Sequence, residues 1–402
     1  MNNRKIPSLR FEGFSDDWEQ RKLGELAKFS KGKGYTKGDL IKEGSPIILY
    51  GRLYTNFQTI ITDVDTYVDA QENSILSEGR EVVVPSSGET SEDIARATVV
   101  DNEDIILGGD LNIIKPSEKI ESTFLALTIS NGEAKKELMK KAQGNSVVHL
   151  YNADLKEVKL FYPDFEEQTK IGNFFKQLDD TITLQERELD LLKEQKKGFL
   201  QKMFPKYNEK VPELRFEGFD DDWEQRKLGS MGKFNPKSEL PEKFEYVDLE
   251  SVVGTELVSH RTENKKSAPS RAQRLAEKGD LFYQTVRPYQ KNNYLYNLPY
   301  DNYVFSTGYA QIRPESNGFF LLTLLQEEKF VNRVLVRSTG TSYPAINSKD
   351  LEKILITVPT EKEEQTKIGY FFKQLDKTIT LQEQQLEKLK EMKKGFLQKM
   401  FV

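Results

Sequence analysis

The stretch EEQTKIGNFFKQLDDTITLQERELDLLKEQKKGFLQKMF (residues 166–204) decides the architecture, because it returns at residues 363–401 with 32 of its 39 positions unchanged. In both copies, apolar side chains recur at alternating steps of four and three residues, the heptad spacing of a helix that packs along a second helix. The seven differences between the copies all lie outside this stripe. The sequence therefore predicts two long helices packed against each other, antiparallel about a pseudo-twofold axis.

Both helices carry the same stripe, and polar residues interrupt it at the same places. Gln185 and Lys196 occupy stripe positions in the first helix, as Gln382 and Lys393 do in the second, and such residues fix the register of a coiled coil. Capping boxes are predicted at the helix starts, from Asp164 with Glu167 and from Thr360 with Glu363. The apolar members of the stripe are Ile171, Phe175, Leu178, Ile182, Leu189, Leu192, Phe199 and Met203, and then Ile368, Phe372, Leu375, Ile379, Leu386, Leu389, Phe396 and Met400.

A second repeat precedes each variable region. Residues 9–29 match residues 214–234 at 17 of 21 positions, whereas the stretches that follow, residues 30–165 and 235–362, share almost no local identity. These stretches still end on one pattern, G-x-S-(x)7-D-L-(x)7-P, and both contain short β-branched and aromatic runs bounded by Gly or Pro. The sequence predicts an α+β fold, in which one repeated frame holds two domains of unlike surface.

Composition limits the classes of protein that fit. No apolar run approaches a membrane span, and no apolar stretch follows the basic start as in a secretory signal, so we expect a cytoplasmic protein. With no cysteine and two histidines, disulfides, thiolate zinc sites and a cysteine nucleophile are excluded, and no metal site is expected. The net charge is −5, yet residues 260–291 contain eight Lys or Arg against three acids, a local excess of five positive charges.

Catalytic motifs are missing as well. The stretch GKGYTKG (residues 32–38) has the spacing of neither dinucleotide-binding nor Walker loops, which favours a flexible or phosphate-contacting loop. Asp190, Glu194 and Lys196 resemble a nuclease triplet but lie on the heptad helix. His149 is matched by Ala345 in the second half, so it cannot carry chemistry common to both halves. The sequence predicts a protein that is not an enzyme.

Taken together, these motifs resemble the specificity subunit of type I restriction-modification systems over the whole chain. The resemblance rests on W-E-x-R-K-L-G, the variable region with its G-x-S and D-L pattern, E-E-Q-T-K-I-G-x-F-F-K-Q-L-D-x-T-I, and the ending K-K-G-F-L-Q-K-M-F, all present twice in this order. It implies two α/β target-recognition domains separated by two long antiparallel coiled-coil helices. The expected boundaries are residues 1–163 for the first domain, 164–204 for the first helix, 205–359 for the second domain and 360–402 for the second helix.

The resemblance also implies a function and partners. Each recognition domain is expected to read one half of an interrupted site on double-stranded DNA, and the helices are expected to set the gap between the halves. Two modification subunits and two restriction subunits are the expected partners. S-adenosylmethionine, ATP and Mg are expected on those partners, and no cofactor is expected in this chain.

The motifs of the family do not identify the residues that contact DNA, so we predict these residues from the chemistry of their side chains. Base edges are read by Arg, Lys, Asn, Gln, Ser and Thr side chains, and phosphates by Lys, Arg and backbone amides at Gly turns. In the first domain the predicted contacts are Lys31, Lys33, Tyr35, Tyr50, Arg52, Ser86, Ser87, Gly88, Gln143, Asn145 and Ser146. In the second domain they are Tyr283, Gln284, Arg287, Tyr289, Gln290, Lys291, Arg337, Thr339, Thr341, Ser342 and Tyr343.

An alternative of another class stays open at this point. The two unlike domains could grip two proteins or glycans across a helical spacer, as a structural adaptor does. Trp18 and Trp223 are predicted to anchor the repeated block by packing, with partner docking as the alternative. DNA affinity separates the two classes of protein, since binding to a duplex weakens steeply as salt rises.

Overall fold

The computed structural model describes residues 6–144, 147–207, 209–340 and 342–402. The chain divides into two compact units, the first made of Met1–Arg187 with Gln384–Val402 and the second of Glu188–Glu383. Each unit is therefore an α+β body that includes part of both long helices. None of the helices in the described ranges has the length and apolar content that a membrane crossing requires.

The first unit is built on two mixed sheets. One has the strand order β2-β11-β7-β9-β4 and the other β5-β3-β10-β6, while β1 pairs with β13 and β8 with β12. Its strands are β1 (Glu19–Lys22), β2 (Ala27–Lys31), β3 (Ser45–Ile48), β4 (Ile60–Ile61), β5 (Tyr67–Val68), β6 (Leu76–Glu78), β7 (Glu81–Pro85), β8 (Ser87–Gly88), β9 (Thr98–Val100), β10 (Glu103–Leu107), β11 (Leu111–Pro116), β12 (Val148–His149) and β13 (Lys159–Tyr162). Its helices are α1 (Arg52–Thr55), α2 (Ser91–Ile94), α3 (Ser122–Ser130), α4 (Gly132–Lys141), α5 (Asn152–Lys156) and the start of α6 (Phe165–Lys202).

Burial explains why these segments adopt their structures. Strand β7 is the run EVVVP and is buried at all five positions, as expected for a central strand covered on both faces. Helix α3 is buried at eight of its nine positions, and the Glu121 carboxylate caps it by accepting a hydrogen bond from the Phe124 amide at 2.6 Å. Trp18 is buried in the same core, edge-on to Phe124 at 5.6 Å between ring centroids, in agreement with the packing role predicted for it.

The second unit repeats this plan with other side chains. Its sheets have the strand orders β15-β24-β21-β22 and β19-β16-β23-β20, and β14 pairs with β25 as β1 pairs with β13. Its strands are β14 (Glu224–Lys227), β15 (Gly232–Phe234), β16 (Lys243–Val247), β17 (Val252–Val253), β18 (Glu256–Leu257), β19 (Arg261–Asn264), β20 (Ala272–Leu275), β21 (Leu281–Gln284), β22 (Tyr294–Leu295), β23 (Tyr303–Ser306), β24 (Tyr309–Pro314) and β25 (Leu355–Val358). Its helices are α7 (Gly318–Gln326), α8 (Glu328–Arg337), α9 (Ser348–Glu352) and much of α10 (Lys362–Met400).

The predicted antiparallel packing of the long helices is confirmed inside each unit. In the first unit, Lys390 pairs with Glu186 at 2.7 Å, and Lys393 of the stripe pairs with Asp179 further back along α6. The second unit has the equivalent pairs, Lys193 with Glu383 at 2.7 Å and Lys196 with Asp376 at 2.5 Å. Each stripe lysine therefore has a carboxylate on the facing helix, and all the predicted apolar stripe residues are buried or half-buried.

A buried ion pair joins the repeated block before each domain to the long helix after it. The Arg10 guanidinium donates to both Glu167 carboxylate oxygens at 2.7 Å, and Arg215 makes the same two bonds to Glu364 at 2.7 and 2.8 Å. The predicted capping box at Asp164 is therefore only half right. Asp164 does accept from the Glu167 amide at 2.8 Å, but the Glu167 carboxylate turns away to bind Arg10.

Candidate nucleic-acid interface

In the first unit, the two predicted loop clusters meet at one end of the central sheet. Strand β7 leads directly into Ser86 and strand β8, which pairs antiparallel with β12 so that His149 lies opposite Ser87. Gln143 and His149 exchange two backbone hydrogen bonds, at 3.1 and 2.8 Å. The loop that starts at Gln143 and the Ser86–Gly88 turn are thereby brought together. Asn145 and Ser146, predicted in the same loop, lie outside the described residues.

Aromatic rings and a lysine lie beside this junction. The His149 ring stacks on Tyr151 at 6.2 Å between centroids and 18° between planes, and its Nδ1 lies 3.3 Å from the Ser87 Oγ. The Lys31 ammonium lies 5.9 Å from the centre of the Tyr151 ring. Tyr151 is half exposed and was not predicted, because its local sequence does not show that it lies beside Lys31 and His149. Stacked rings with a nearby cation suit contact with bases and phosphates.

Three other predicted residues of this unit line one cavity of about 640 Å³: Tyr35, Tyr50 and Arg52. Asp110 also lines it and connects it to the junction, because its backbone oxygen accepts from the Ser86 amide at 2.8 Å. The Arg52 guanidinium is committed inside the protein, to Asp65 at 2.5 Å and to the Asp63 carbonyl at 2.9 Å. Arg52 therefore shapes the cavity wall and has few donors left for a ligand.

In the second unit, the two predicted clusters also converge. The Arg287 amide donates to the Pro344 carbonyl at 2.7 Å, and Val286 forms an isolated β-bridge with Ala345. The Arg287 guanidinium then lies 4.4 Å above the centre of the Tyr343 ring, which is 62% exposed. A cation and an exposed aromatic ring from separate parts of the sequence thus form one surface feature.

Tyr283 and Gln284, by contrast, lie beneath this surface. Both are fully buried, and burial raises the pKa of the Tyr283 hydroxyl. The Gln284 amide donates to the Val286 carbonyl at 2.6 Å and to the Gln290 Oε1 at 2.8 Å. These two residues support the loop that carries Arg287, and their side chains have no access to a ligand at the surface.

The other predicted residues of the second unit lie around the same loop. Lys291 is ion-paired to Glu328 at 2.5 Å, whereas Arg337 is exposed at the end of α8 and donates to the Arg333 carbonyl at 3.3 Å. Exposed Tyr289, Thr339 and Ser342 lie on the loops themselves, and Thr341 is outside the described residues.

The two junctions share one backbone frame. The Leu150 amide donates to Ser86 in the first unit as the Ile346 amide donates to Thr285 in the second, at 3.1 and 3.0 Å. Along this frame, Ser87 and Gly88 are replaced by Val286 and Arg287, and His149 by Ala345. Among the described residues, no group of His, Cys, Asp or Glu side chains is arranged to hold a metal ion. The two junctions therefore have the same backbone support but different surfaces. These surfaces offer hydrogen bonds, ring stacking and positive charge to a ligand.

A family model, the type I restriction modification DNA specificity domain, matches the chain twice, at residues 15–194 and 220–391. The chain belongs to this family. It is similar to the putative type I restriction enzyme MjaX specificity subunit of Methanocaldococcus jannaschii, with 23% identity over 95% of this chain and 92% of that one. It also resembles the type I restriction enzyme HindI specificity subunit of Haemophilus influenzae, with 24% identity over 45% of this chain and 41% of the relative.

Among solved structures, the S subunit of a type I restriction-modification system from M. genitalium has a similar fold. It aligns with a TM-score of 0.65 and 16% identity, over 99% of both chains. The predicted fold class is confirmed by this likeness together with the two family matches. The repeated backbone junctions described above therefore occur in a chain with the fold and family of a specificity subunit.

Proposed function

We propose that this chain gives a type I restriction-modification complex its DNA specificity, each unit reading one half of an interrupted site in double-stranded DNA. The observation that carries the proposal is the pair of junctions in which one backbone frame presents Ser87 and His149 in one unit and Arg287 and Tyr343 in the other. A protein that recognises two different half-sites requires two different sets of side chains, and here both sets are held by the same backbone frame.

The side chains at these junctions have the chemistry for direct readout. Ser, Gln and Arg side chains distinguish base edges by hydrogen bonding, and exposed Tyr rings can add apolar contacts, such as those with the thymine methyl group. Lys31 and Arg337 are exposed and suit phosphate contacts, which position a protein on the duplex without reading sequence. An overall charge of −5 is compatible with this role if the partner subunits neutralise much of the phosphate charge.

The partners in this proposal are two modification subunits and two restriction subunits, and the chain itself does no chemistry. S-adenosylmethionine, ATP and Mg would be bound by those subunits. The long helices would set the gap between half-sites, because a 39-residue helix is about 58 Å long, comparable to roughly 17 base pairs at about 3.4 Å each. Within each unit, the interhelical ion pairs and stripe residues hold the two helices in one register.

The test is an exchange of recognition domains. Residues 30–163 would be replaced by the corresponding region of another family member, and methylated adenines would be mapped in cells that express the chimaera with modification subunits. We expect one half-site to change while the other half-site and the gap stay the same. A change in both half-sites would contradict the modular assignment, and a duplex affinity that does not depend on sequence would contradict the function itself.

A further inference from the structure

Arg287 has an unusual backbone conformation at the centre of the second unit's junction. It follows β21, immediately before the 3-10 turn Pro288–Gln290, with φ = +53° in the left-handed region. Such a conformation costs a residue with a Cβ of the order of 1 kcal/mol and persists only where the surroundings enforce it. Here the backbone is fixed by the 2.7 Å bond from its amide to Pro344 and by the bridge between Val286 and Ala345.

The side chain lies over an aromatic ring, yet it has no ionic partner. Its guanidinium lies 4.4 Å over the Tyr343 ring, and the residue is half-buried. Across the described part of the chain, no carboxylate lies within ion-pair distance of it and no protein atom accepts a hydrogen bond from its guanidinium. Lys291 and Arg313 of the same unit, by contrast, are ion-paired, Lys291 with Glu328 at 2.5 Å and Arg313 with Asp280 at 2.8 Å. The donors of Arg287 are therefore positioned and unused.

A planar guanidinium with two parallel N–H groups matches the O6 and N7 acceptors of guanine in the major groove, and stacking on a ring fixes the plane in which it points. We propose that Arg287, stacked on Tyr343, reads a guanine in the half-site contacted by the second unit. The proposal rests on the DNA-reading function proposed above and names one base contact of that function. Arg337, exposed and without a stacking ring, is the matching candidate for a phosphate contact.

The first unit lacks this feature at the equivalent position. Gly88 occupies the place of Arg287, and the neighbouring groups are the Ser87 hydroxyl, the His149 ring and Tyr151. The guanine contact is therefore specific to the second unit. Replacing Arg287 by glycine would make the two junctions alike at this position, and glycine adopts φ = +53° without strain, so the variant is expected to fold.

The experiment uses the full chain assembled with its modification subunits and the bipartite duplex mapped for the wild type. Affinities are measured for that duplex, for versions with each guanine pair of either half-site exchanged, and for versions with 7-deazaguanine, which lacks the N7 acceptor. We expect the wild type to lose about 5- to 150-fold when one guanine of one half-site is exchanged. R287G and R287M, whose side chains carry no hydrogen-bond donor, should lose that preference, tolerate 7-deazaguanine there, and keep every preference in the other half-site.

R337M is the matched control, because it makes the same chemical change as R287M at an exposed arginine of the same unit and should leave all base preferences intact. Folding of each variant is checked in the W18F background by the fluorescence of Trp223, which is buried in the second unit. If R287M retains the full guanine preference, or if R287G weakens binding equally on every duplex, the base contact is refuted while sequence-specific binding stands. If the wild type shows no sequence preference at all, the proposed function fails first.

Discussion

Removing Arg10 tests whether the buried ion pair ties the repeated block to helix α6. The Arg10 side chain is 12% exposed and that of Glu167 is 0% exposed, so R10M leaves a carboxylate in the core without its partner. Breaking a buried pair in this way costs roughly 3–5 kcal/mol of unfolding free energy, compared with about 0–1 kcal/mol for a pair at the surface. With a urea m-value of about 2–3 kcal/mol per molar, the unfolding midpoint of the first unit should fall by about 1–2.5 M.

The two tryptophans allow each unit to be followed separately. Trp18 is buried in the first unit and Trp223 in the second, so W223F leaves a reporter for the first unit and W18F a reporter for the second. R10M is measured by fluorescence in the W223F background, and R215M, the same change in the second unit, in the W18F background. Both should show a loss of similar size, because Arg215 and Glu364 are equally buried.

A double variant identifies the physical origin of the loss. R10M/E167M replaces the pair with apolar side chains of similar volume, and we expect it to recover most of the stability that R10M loses, because no charge is then left buried. A loss below about 1 kcal/mol for R10M would show that solvent reaches the pair, and the reasoning would be refuted. A double variant as unstable as R10M would assign the loss to packing of the arginine stem instead.

Three further predictions concern the helices, a buried carboxyl group and the DNA surface. Inserting one heptad into both α6 and α10 lengthens each helix by about 10.5 Å, so the mapped gap between half-sites should grow by roughly 3 base pairs, and an unchanged gap would show that the helices do not set it. Burial raises the pKa of Glu327 from 4.5 to about 7, so it stays protonated in the fold while it ionises in the unfolded chain. The stability of the second unit should fall as pH rises from 4.5 to 7, and E327Q should flatten this slope in urea titrations followed by Trp223 fluorescence. R337A should weaken binding to all duplexes alike and reduce the slope of log affinity against log salt by about one, whereas a change in base preference would contradict a phosphate contact.

Several features of the fold were predictable because they depend on periodicity along the chain. The heptad spacing predicted long antiparallel helices, and the structure has them at Phe165–Lys202 and Lys362–Met400. The same spacing identified Lys196 and Lys393 as polar members of the stripe. Their partners, Asp376 and Asp179, could not be identified from the sequence, since the pairing depends on the register between the helices. Glu167 was assigned to a capping box for the same reason: its true partner, Arg10, is far away in sequence.

The candidate interface shows the same division. Residue type and loop position were enough to propose Arg287 and Tyr343, whereas their stacking, which brings together two loops over fifty residues apart, required the tertiary structure. The burial of Tyr283 and Gln284 could not be predicted either. Both residues lie on β21, and because this strand is covered on both faces, neither side chain reaches solvent. Tyr151 was missed because its role depends on where the Lys31 and His149 side chains lie in space.

The repeated frame, the two long helices and the contrast between constant frame and variable domains could all be predicted from the sequence, because periodicity and repetition are properties of the chain order. The partners of the polar groups could not be predicted without the tertiary structure. A charge pair or a stacked cation depends on distances of a few ångströms between segments far apart in sequence, and those distances are set by packing of the whole unit. Nothing in the sequence distinguished Arg52 from Arg287. In the folded unit, Arg52 is paired with the carboxylate of Asp65, whereas the guanidinium of Arg287 has no carboxylate partner and is free to bind a ligand.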